Sequence, residues 1–478
     1  MTVSLSDNLR ALSHIYSAES TFRTRELCGV DGCRAAICYF DGMIDSRMLL
    51  ESAIAPLQRA ALHGQSAGDL CARVLSVPDT KTAASLDEAC PQLALGHALL
   101  LVDGLAELLL LDVKQWQVRG ISEPDSERVL QGPREGFTEV LLTNLSLIRR
   151  RLQSPDLKVE SARMGDRVQS TVCLCYLEGS VDHAVLKELR ERLRRVEQAA
   201  VLDSNYVTEQ IRDGGRSPFQ TVGATERPDI IAAKLLEGRV AILCEGSPSV
   251  LTVPHLFLEL FQSNEDYYVN SHYASFQRLL RMLGFFASVF LPSLYIAMSC
   301  FQPELLPTPL AITISASRQS VPFSTVVEAL ILLFSFDILR ESGARSPSNV
   351  GQALSVVSSV VLGQAAIQAG FIGSPILIVV AFAGVTSVLV PNLISVALLY
   401  RYGILIYTSI FGYWGCIAGL FHMMLHLSGL ESFGVPYLEY SYAASQTVTG
   451  DTFLREPWTR LQTMPIFGKR RNGEEGGA

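Results

Sequence analysis

The 478-residue chain carries 39 Lys and Arg against 47 Asp and Glu, a net charge of −8, and 49% of its residues are hydrophobic. That balance, with no long basic run, argues against a nucleic-acid binder. The apolar residues are unevenly distributed: residues 1 to about 275 have the charged texture of a globular fold, and 279 to about 430 are almost wholly apolar.

In chain order, residues 1–22 read as a polar N-terminal tail without the apolar core of a signal peptide. The soluble part is therefore expected to stay cytoplasmic, with Leu279 to Cys300 as the first membrane-directing segment. Next come two related units. "AICYFDGMID" (36–45) aligns with "CLCYLEGSVD" (173–182), and "ALLLVDGLAELLLLD" (98–112) with "VAILCEGSPSVLTVP" (240–254). Two matches at one offset of about 140 positions indicate an internal repeat. In each unit a buried strand ends in an acidic–Gly turn, a helix follows (Asp45 to Leu57, Asp182 to Val196), and a later strand ends in a second such turn. The pattern predicts duplicated α/β subdomains at 23–117 and 158–262. Asp41, Asp103, Glu178 and Glu245 are read as turn formers rather than catalytic acids. Ten scattered cysteines without a CxxC pair read as reduced, small core residues.

The connecting segment 118–157 holds a helix that Pro133 opens and Arg149, Arg150 and Arg151 close. The three arginines fit a solvated last turn or a subunit interface that meets acidic surface. No Walker sequence, strand-borne GxGxxG, HExxH or GxSxG is present, so neither an enzyme nor a cofactor is expected.

"SVLTVPHLFLELFQS" (249–263) reads as an interfacial or docking segment, and Tyr267, Tyr268 and Tyr273 suit a headgroup layer. A transmembrane domain is expected at 263–430. About 20 apolar residues cross a ~30 Å hydrocarbon core, and five stretches qualify: about 279–300, 322–339, 353–372, 375–399 and 402–428. Arg278, Arg281, Arg340, Arg345 and Arg401 mark cytoplasmic ends, as do the basic residues of the tail 431–478. Five full crossings leave that tail on the wrong side, so one stretch is re-entrant or a further crossing exists. Between the first two stretches, three prolines forbid a long helix, and Leu310 to Ser315 alternates as an extended segment does.

Glu328 is the conspicuous intramembrane acid. It either faces a cavity or, at capping-box spacing from Thr325, caps the second span. Asp337, near Arg340, reads as a solvated or paired end residue. In the third span Gln352, Ser355, Ser359, Gly363, Ala366 and Gly370 share one helix face, beside a polar row of Gln364 and Gln368. Close helix packing and a water-lined ion path both fit, with no charge ring to set selectivity. His422 and His426, at i and i+4, read as a hydrogen-bonded pair rather than metal ligands.

Several segments carry a family resemblance: "GPREGFTEVLLTNLSLIRRRL", "ERPDIIAAKLLEGRVAIL", "FQSNEDYY", "ASFQRLLRMLGFFASVFLPSLYIA", "LLPTPLAITISASRQSVPF", "EALILLFSFDILRESGAR", "GQALSVVSSVVLGQAAIQAG", "FGVPYL" and "REPWTRLQTMP". In this order, over about Arg23 to Pro465, the chain resembles the A-subunit family of bacterial spore germinant receptors, the GerA type. Ser324 stands where that family usually has Pro. The resemblance implies a multi-pass subunit of the spore inner membrane with its N-terminal domain cytoplasmic. It implies partners: a transporter-like nutrient-binding membrane subunit and a lipoprotein subunit. It further implies homo-oligomeric rings that open a path for monovalent cations, with candidate pore or gating residues at Glu328, Gln352, Ser355, Ser359, Gly363, Gln364 and Gln368. A permease-type subunit and a non-conducting scaffold of the receptor cluster remain as alternatives.

Overall fold

The computed structural model describes residues 4–114, 127, 129, 131–196, 200–345, 361, 363–438, 454, 455 and 457. Two α/β units precede an apolar helical bundle, and the two units share one plan. In the first, helix α1 (Leu5–Ile15) leads into strands β1 (Phe22–Cys28) and β2 (Arg34–Phe40). Short helical segments at 46–59 and 67–74 follow, including α2 (Ser46–Leu49), α3 (Ala55–Arg59) and α4 (Ala67–Asp69). Strand β3 (Thr80–Ala83), α5 (Leu86–Ala94), β4 (Ala98–Val102) and β5 (Leu108–Leu111) complete it. The second unit runs α6 (Leu141–Arg151), β6 (Leu157–Met164), β7 (Ser170–Leu177), α7 (His183–Arg194), α8 (Ser204–Ile211), β8 (Gly223–Thr225), α9 (Pro228–Leu236), β9 (Val240–Cys244) and β10 (Val250–Val253). The strand orders, β1-β2-β4-β5-β3 and β6-β7-β9-β10-β8, correspond position by position, and every pairing is antiparallel.

Each sheet is covered on both faces, so its central strands are apolar throughout rather than alternating. In the first unit Ile37, Leu100 and Leu109 meet the helices of 46–74, while Cys38, Leu99 and Leu110 meet α1 and α5. In the second, Leu174 and Ile242 meet α7 and α8, while Cys175 and Leu243 meet α6 and α9. Helix α1 thus occupies the place in the first unit that α6 occupies in the second. Residues 5–15 are a structural element of the repeat, not a tail. The four predicted turns are present with glycine at positive φ: +82° at Gly42, +89° at Gly104, +84° at Gly179 and +83° at Gly246. Only glycine takes that backbone without strain. The acids do not close these turns with their side chains. Asp103 Oδ1 instead accepts the Leu5 N–H at 3.1 Å, which ties the start of α1 to the sheet.

The units join at their β1 and β6 edges, where the Ser20 N–H donates to Val159 O at 2.8 Å. Arg149 locks the joint. It is 2% exposed, pairs with buried Glu19 at 2.6 Å, donates to Thr21 Oγ1 at 3.1 Å and lies 4.1 Å over the Phe40 ring. Arg150 and Arg151 both bond Glu135. The three arginines are therefore engaged inside the chain, and Arg149 is not part of a solvated turn. Arg149→Met leaves Glu19 only the two hydrogen bonds from Thr21. A stability loss of about 2–3 kcal/mol is expected, read as a lowered unfolding midpoint of the detergent-purified chain.

The segment 249–263 supplies β10 to the second unit, and its 3₁₀ turn Phe257–Phe261 docks on the bundle, with the Phe261 ring 5.6 Å from that of Phe285. The bundle then begins with α10 (Ser271–Ile296), continues through α11 (Thr308–Arg318) and α12 (Thr325–Arg345), and resumes after the undescribed stretch with helical residues 363–368. The expected extended segment 310–315 is inside α11: Pro309 stands in its first turn, where a missing N–H costs nothing. The apolar expanse 375–428 holds three helices, not two stretches divided at Arg401. These are α13 (Ser374–Ser387), α14 (Ile394–Phe411) and α15 (Tyr413–Ser428), with the break at 388–393 beside Pro391. Glycines 415 and 419, four apart, bring α15 onto Tyr407 O and Ile404 of α14, an approach any Cβ would block.

The path of the bundle can be followed from its contacts. The π-helical turn Ala297–Phe301 that continues α10 ends at Phe301, which touches Gly412 in the α14–α15 turn. The end of α15 returns to the second α/β unit, where His426 Nε2 lies 2.8 Å from Ser217 Oγ. A hairpin of β11 (Glu431–Ser432) and β12 (Val435–Pro436) then docks on that unit. Ser432 Oγ donates to Thr221 O (2.7 Å), Tyr437 Oη to Gln220 O (2.6 Å), and the Phe433 N–H to Asp213 (2.7 Å). Entry and exit of the bundle therefore lie on one side.

Candidate functional site

Among the described residues two helices, Ser271–Phe301 and Pro391–Phe411, are long and apolar enough to cross a membrane, at 31 and 21 residues; Ser374–Ser387 is apolar but shorter. Large apolar side chains face outward around the bundle, among them Phe276, Leu283, Ile378, Ile406, Trp414 and Phe421. Such a continuous exposed belt is foreign to a water-facing surface.

Within this bundle Glu328 is 1% exposed. Its backbone N–H donates to Ser324 O at 3.0 Å, as in any helix, but its side chain does not close a capping box with Thr325. Instead Oε2 accepts the N–H of Gly373 at 3.1 Å, the N-cap residue of α13. The carboxylate thus caps a helix 45 residues further along, where the partial positive charge of an N-terminus favours an anion. Its Oε1 and the Thr325 hydroxyl, also 1% exposed, have no hydrogen-bond partner. The surrounding side chains, including Ala329, Leu332, Ile372 and Ile376, are apolar.

The third-span residues divide. Gly363 is buried against Leu377 of α13, and Ala366 is half-buried in the same cluster. Gln364 and Gln368 are exposed, pointing away from the rest of the chain. The small residues thus pack and the glutamine row faces outward. Gln352, Ser355 and Ser359 lie outside the described residues.

Further along, Asp337 is the hub of an ion-pair set that joins α12 to α14. Arg401 Nη2 reaches both of its oxygens at 2.9 Å, the Tyr402 hydroxyl donates at 2.8 Å, and Arg340 lies at 3.3 Å. Asp337 is thus a paired residue and Arg340 is one of its partners; Arg401, which marks a span boundary by charge alone, is the partner the sequence does not reveal.

Two more charge clusters stand at the junction of the second unit and the bundle, and neither was singled out from sequence. Glu259 pairs with Arg239 at 2.7 Å and with Lys234, and lies 3.2 Å from His255 Nδ1. Burial opposes its charge, but Arg239, Lys234 and His255 hold its carboxyl well below the usual range. Burial keeps His255 below its ordinary value, on the neutral side. Asp266, fully buried, accepts from Arg278 Nε at 2.8 Å and from Arg281. A signal existed for the second cluster: Asp266, Arg278 and Arg281 flank the start of the first apolar stretch, where charge is dear unless paired. For Glu259, only the fold brings the cations near.

All ten cysteines are free. Burial pushes the thiols of Cys173 and Cys244 up to about 12 and Cys38 to about 11, which keeps them protonated and unreactive. His426 bonds Ser217, whereas the His422 ring sits 6.3 Å from those of Tyr400 and Tyr407. Among the described residues no three His, Cys, Asp or Glu side chains converge to hold a metal.

These features define a class: a duplicated antiparallel α/β module carrying an apolar helical bundle. The chain belongs to the Bacillus/Clostridium GerA spore germination protein family, whose model matches residues 9–467. It is 38% identical to spore germination protein KA of Bacillus subtilis strain 168 over 453 residues, covering 94% of this chain and 83% of that one. It is 34% identical over 476 residues to the uncharacterized membrane protein YfkQ of the same organism, covering 99% and 93%. Among solved structures it is similar to the N-terminal domain of the A subunit of the Bacillus megaterium spore germinant receptor GerK3. That match has 31% identity, a TM-score of 0.43, and covers 54% of this chain and 97% of the solved one.

Proposed function

We propose that this chain is the A-type membrane subunit of a spore germinant receptor, and that copies of it associate to form a gated path for monovalent cations. The observation that carries the proposal is the outward Gln364–Gln368 row on an apolar bundle. Facing lipid, two amides would each lose hydrogen bonds to water. Facing the same row of neighbouring copies, they line a wet seam through which a cation passes. On this reading α10, α12, the helix through 363–368, α13, α14 and α15 each cross, and six passes, an even number, fit the return of the C-terminal hairpin to the side where α10 begins. With Arg278 and Arg281 at the start of the first pass, that side is the cytoplasmic face of the spore inner membrane. A transporter-like subunit that binds the nutrient, together with a lipoprotein subunit, biases the closed–open equilibrium through differential affinity for the two states.

The test is flux. In proteoliposomes holding the chain and its partner subunits, Gln364→Leu with Gln368→Leu is expected to lower nutrient-triggered K⁺ release at least about tenfold, with assembly intact by size-exclusion chromatography; each tenfold equals about 1.4 kcal/mol. Undiminished release would remove the seam from the path.

One observation favours a second reading, a permease-type subunit. Helix α13 is interrupted at both ends inside the apolar region, at Gly373 and at 388–393, and interrupted helices build substrate sites in transporters. Saturable solute uptake that survives the double glutamine substitution would select that reading.

A further inference from the structure

We propose that Glu328 and Thr325 form a buried site for one monovalent metal cation, which ties the start of α12 to the start of α13. The inference rests on the membrane reading of the bundle and adds to it an occupant distinct from the ions in transit.

The argument starts from charge. A carboxylate in an apolar interior is stable only with a counter-charge or a proton. Glu328 is 1% exposed, and among the described residues no Lys, Arg or His pairs with it. The guanidinium of Arg318, at the end of the packed helix α11, is directed to Cys300 Sγ at 3.9 Å. Tyr295 of α10, in the same apolar cluster, is the other titratable side chain facing the site.

Geometry then separates a metal cation from a proton. Oε2 accepts the Gly373 N–H at 3.1 Å, and both that bond and the N-terminal end of α13 favour the ionised carboxylate. Oε1 and Thr325 Oγ1, one helical turn apart on the same face of α12, are two buried oxygens without partners. Ser317 Oγ donates to Ile314 O at 2.8 Å and so turns its own lone pairs outward, and it borders the same space around Gly373. A hard cation of single charge takes oxygen ligands and neutralises one carboxylate; a divalent ion would leave excess charge in an apolar shell. A cation at this point adds a polar tie between α12 and α13 to the Gly373 hydrogen bond and to the apolar contacts of Ala329 and Leu332 with Ile372 and Ile376. Its departure loosens the contact that fixes where α13 begins.

The test uses the full-length protein purified in detergent. Unfolding midpoints are compared in NaCl, KCl and N-methyl-D-glucamine chloride at equal ionic strength. Na⁺ or K⁺ is expected to raise the midpoint by several degrees in a saturable way. Glu328→Gln is expected to abolish the response, and Thr325→Val to shift its half-saturation at least about tenfold. If Glu328→Gln does not fold, the Thr325→Val shift decides. Equal midpoints in all three salts, or a response that persists in both variants, overturns the proposal. A wild-type midpoint that ignores the metal but rises with acid assigns the carboxyl to a proton and overturns it equally. Flux that survives without any cation response sinks this site but leaves the path standing. A cation response in a protein that never conducts does the reverse.

Discussion

Glu259→Gln is expected to destabilise the chain by about 3–5 kcal/mol, the range for removing one member of a buried ion cluster. Glutamine keeps the shape but takes the acid from the Lys234 ammonium and from Arg239, which retains its bonds to the more exposed Glu237 and the Pro254 carbonyl. The pH dependence gives a second check. Because the folded carboxyl titrates well below an unfolded one, its contribution is present above the ordinary carboxylate range and is lost as pH falls through the folded value. The gap between wild type and Glu259→Gln should therefore be widest near neutrality and close in acid. His255, held neutral by burial, adds acid sensitivity of the same sign, starting below about 6.5. Unfolding midpoints of both proteins across that range test both points. A gap independent of pH would show that Glu259 is not ionised in the folded state.

The Asp337–Arg401 pair should show an asymmetry. Asp337→Asn strips Arg401, 1% exposed, of its acid, whereas Arg401→Met leaves Asp337 with Arg340 and the Tyr402 hydroxyl. The first change is expected to cost about 3–5 kcal/mol and the second less. The double change Asp337→Leu with Arg401→Met should recover much of the loss, since an apolar pair of similar volume often replaces a buried ion pair without penalty. A thermal double-mutant cycle in detergent, with Asp337→Leu and Arg401→Met as its single changes, measures this directly. If the double variant is as unstable as the sum of the singles, α12 and α14 are not coupled through this pair.

The sequence showed what backbone chemistry demands locally. Asp41–Gly42, Asp103–Gly104, Glu178–Gly179 and Glu245–Gly246 marked the repeat because a tight turn at positive φ admits little but glycine. The antiparallel strand order was not visible, since strands covered on both faces are uniformly apolar and give no direction. Length alone misdivided 375–428: the whole run is apolar, and a lone arginine is a boundary marker only until a partner such as Asp337 draws it into a helix. At Glu328 the sequence left a cavity-facing acid and, from the i, i+3 spacing to Thr325, a local cap equally open; the donor that its carboxylate meets is the distant Gly373. The Glu259 and Arg149 networks share that difficulty: Arg149 pairs with a residue 130 positions earlier, and periodicity carries no information about such distances.

The docked hairpin has a mechanical consequence. Because α10 leaves the second α/β unit through Asp266, α15 returns to it through Ser217 and the hairpin through Gln220 and Thr221, unit and bundle form a closed linkage. A closed linkage has fewer independent motions than an open chain. A tilt of the last helix must turn the second unit as a body, or break the hairpin. The first unit stands outside that loop, held to the second by the Arg149 joint and the β1–β6 edge. A partner that grips the first unit would therefore act on the bundle as a lever, with the locked Arg149 joint passing the push to the second unit.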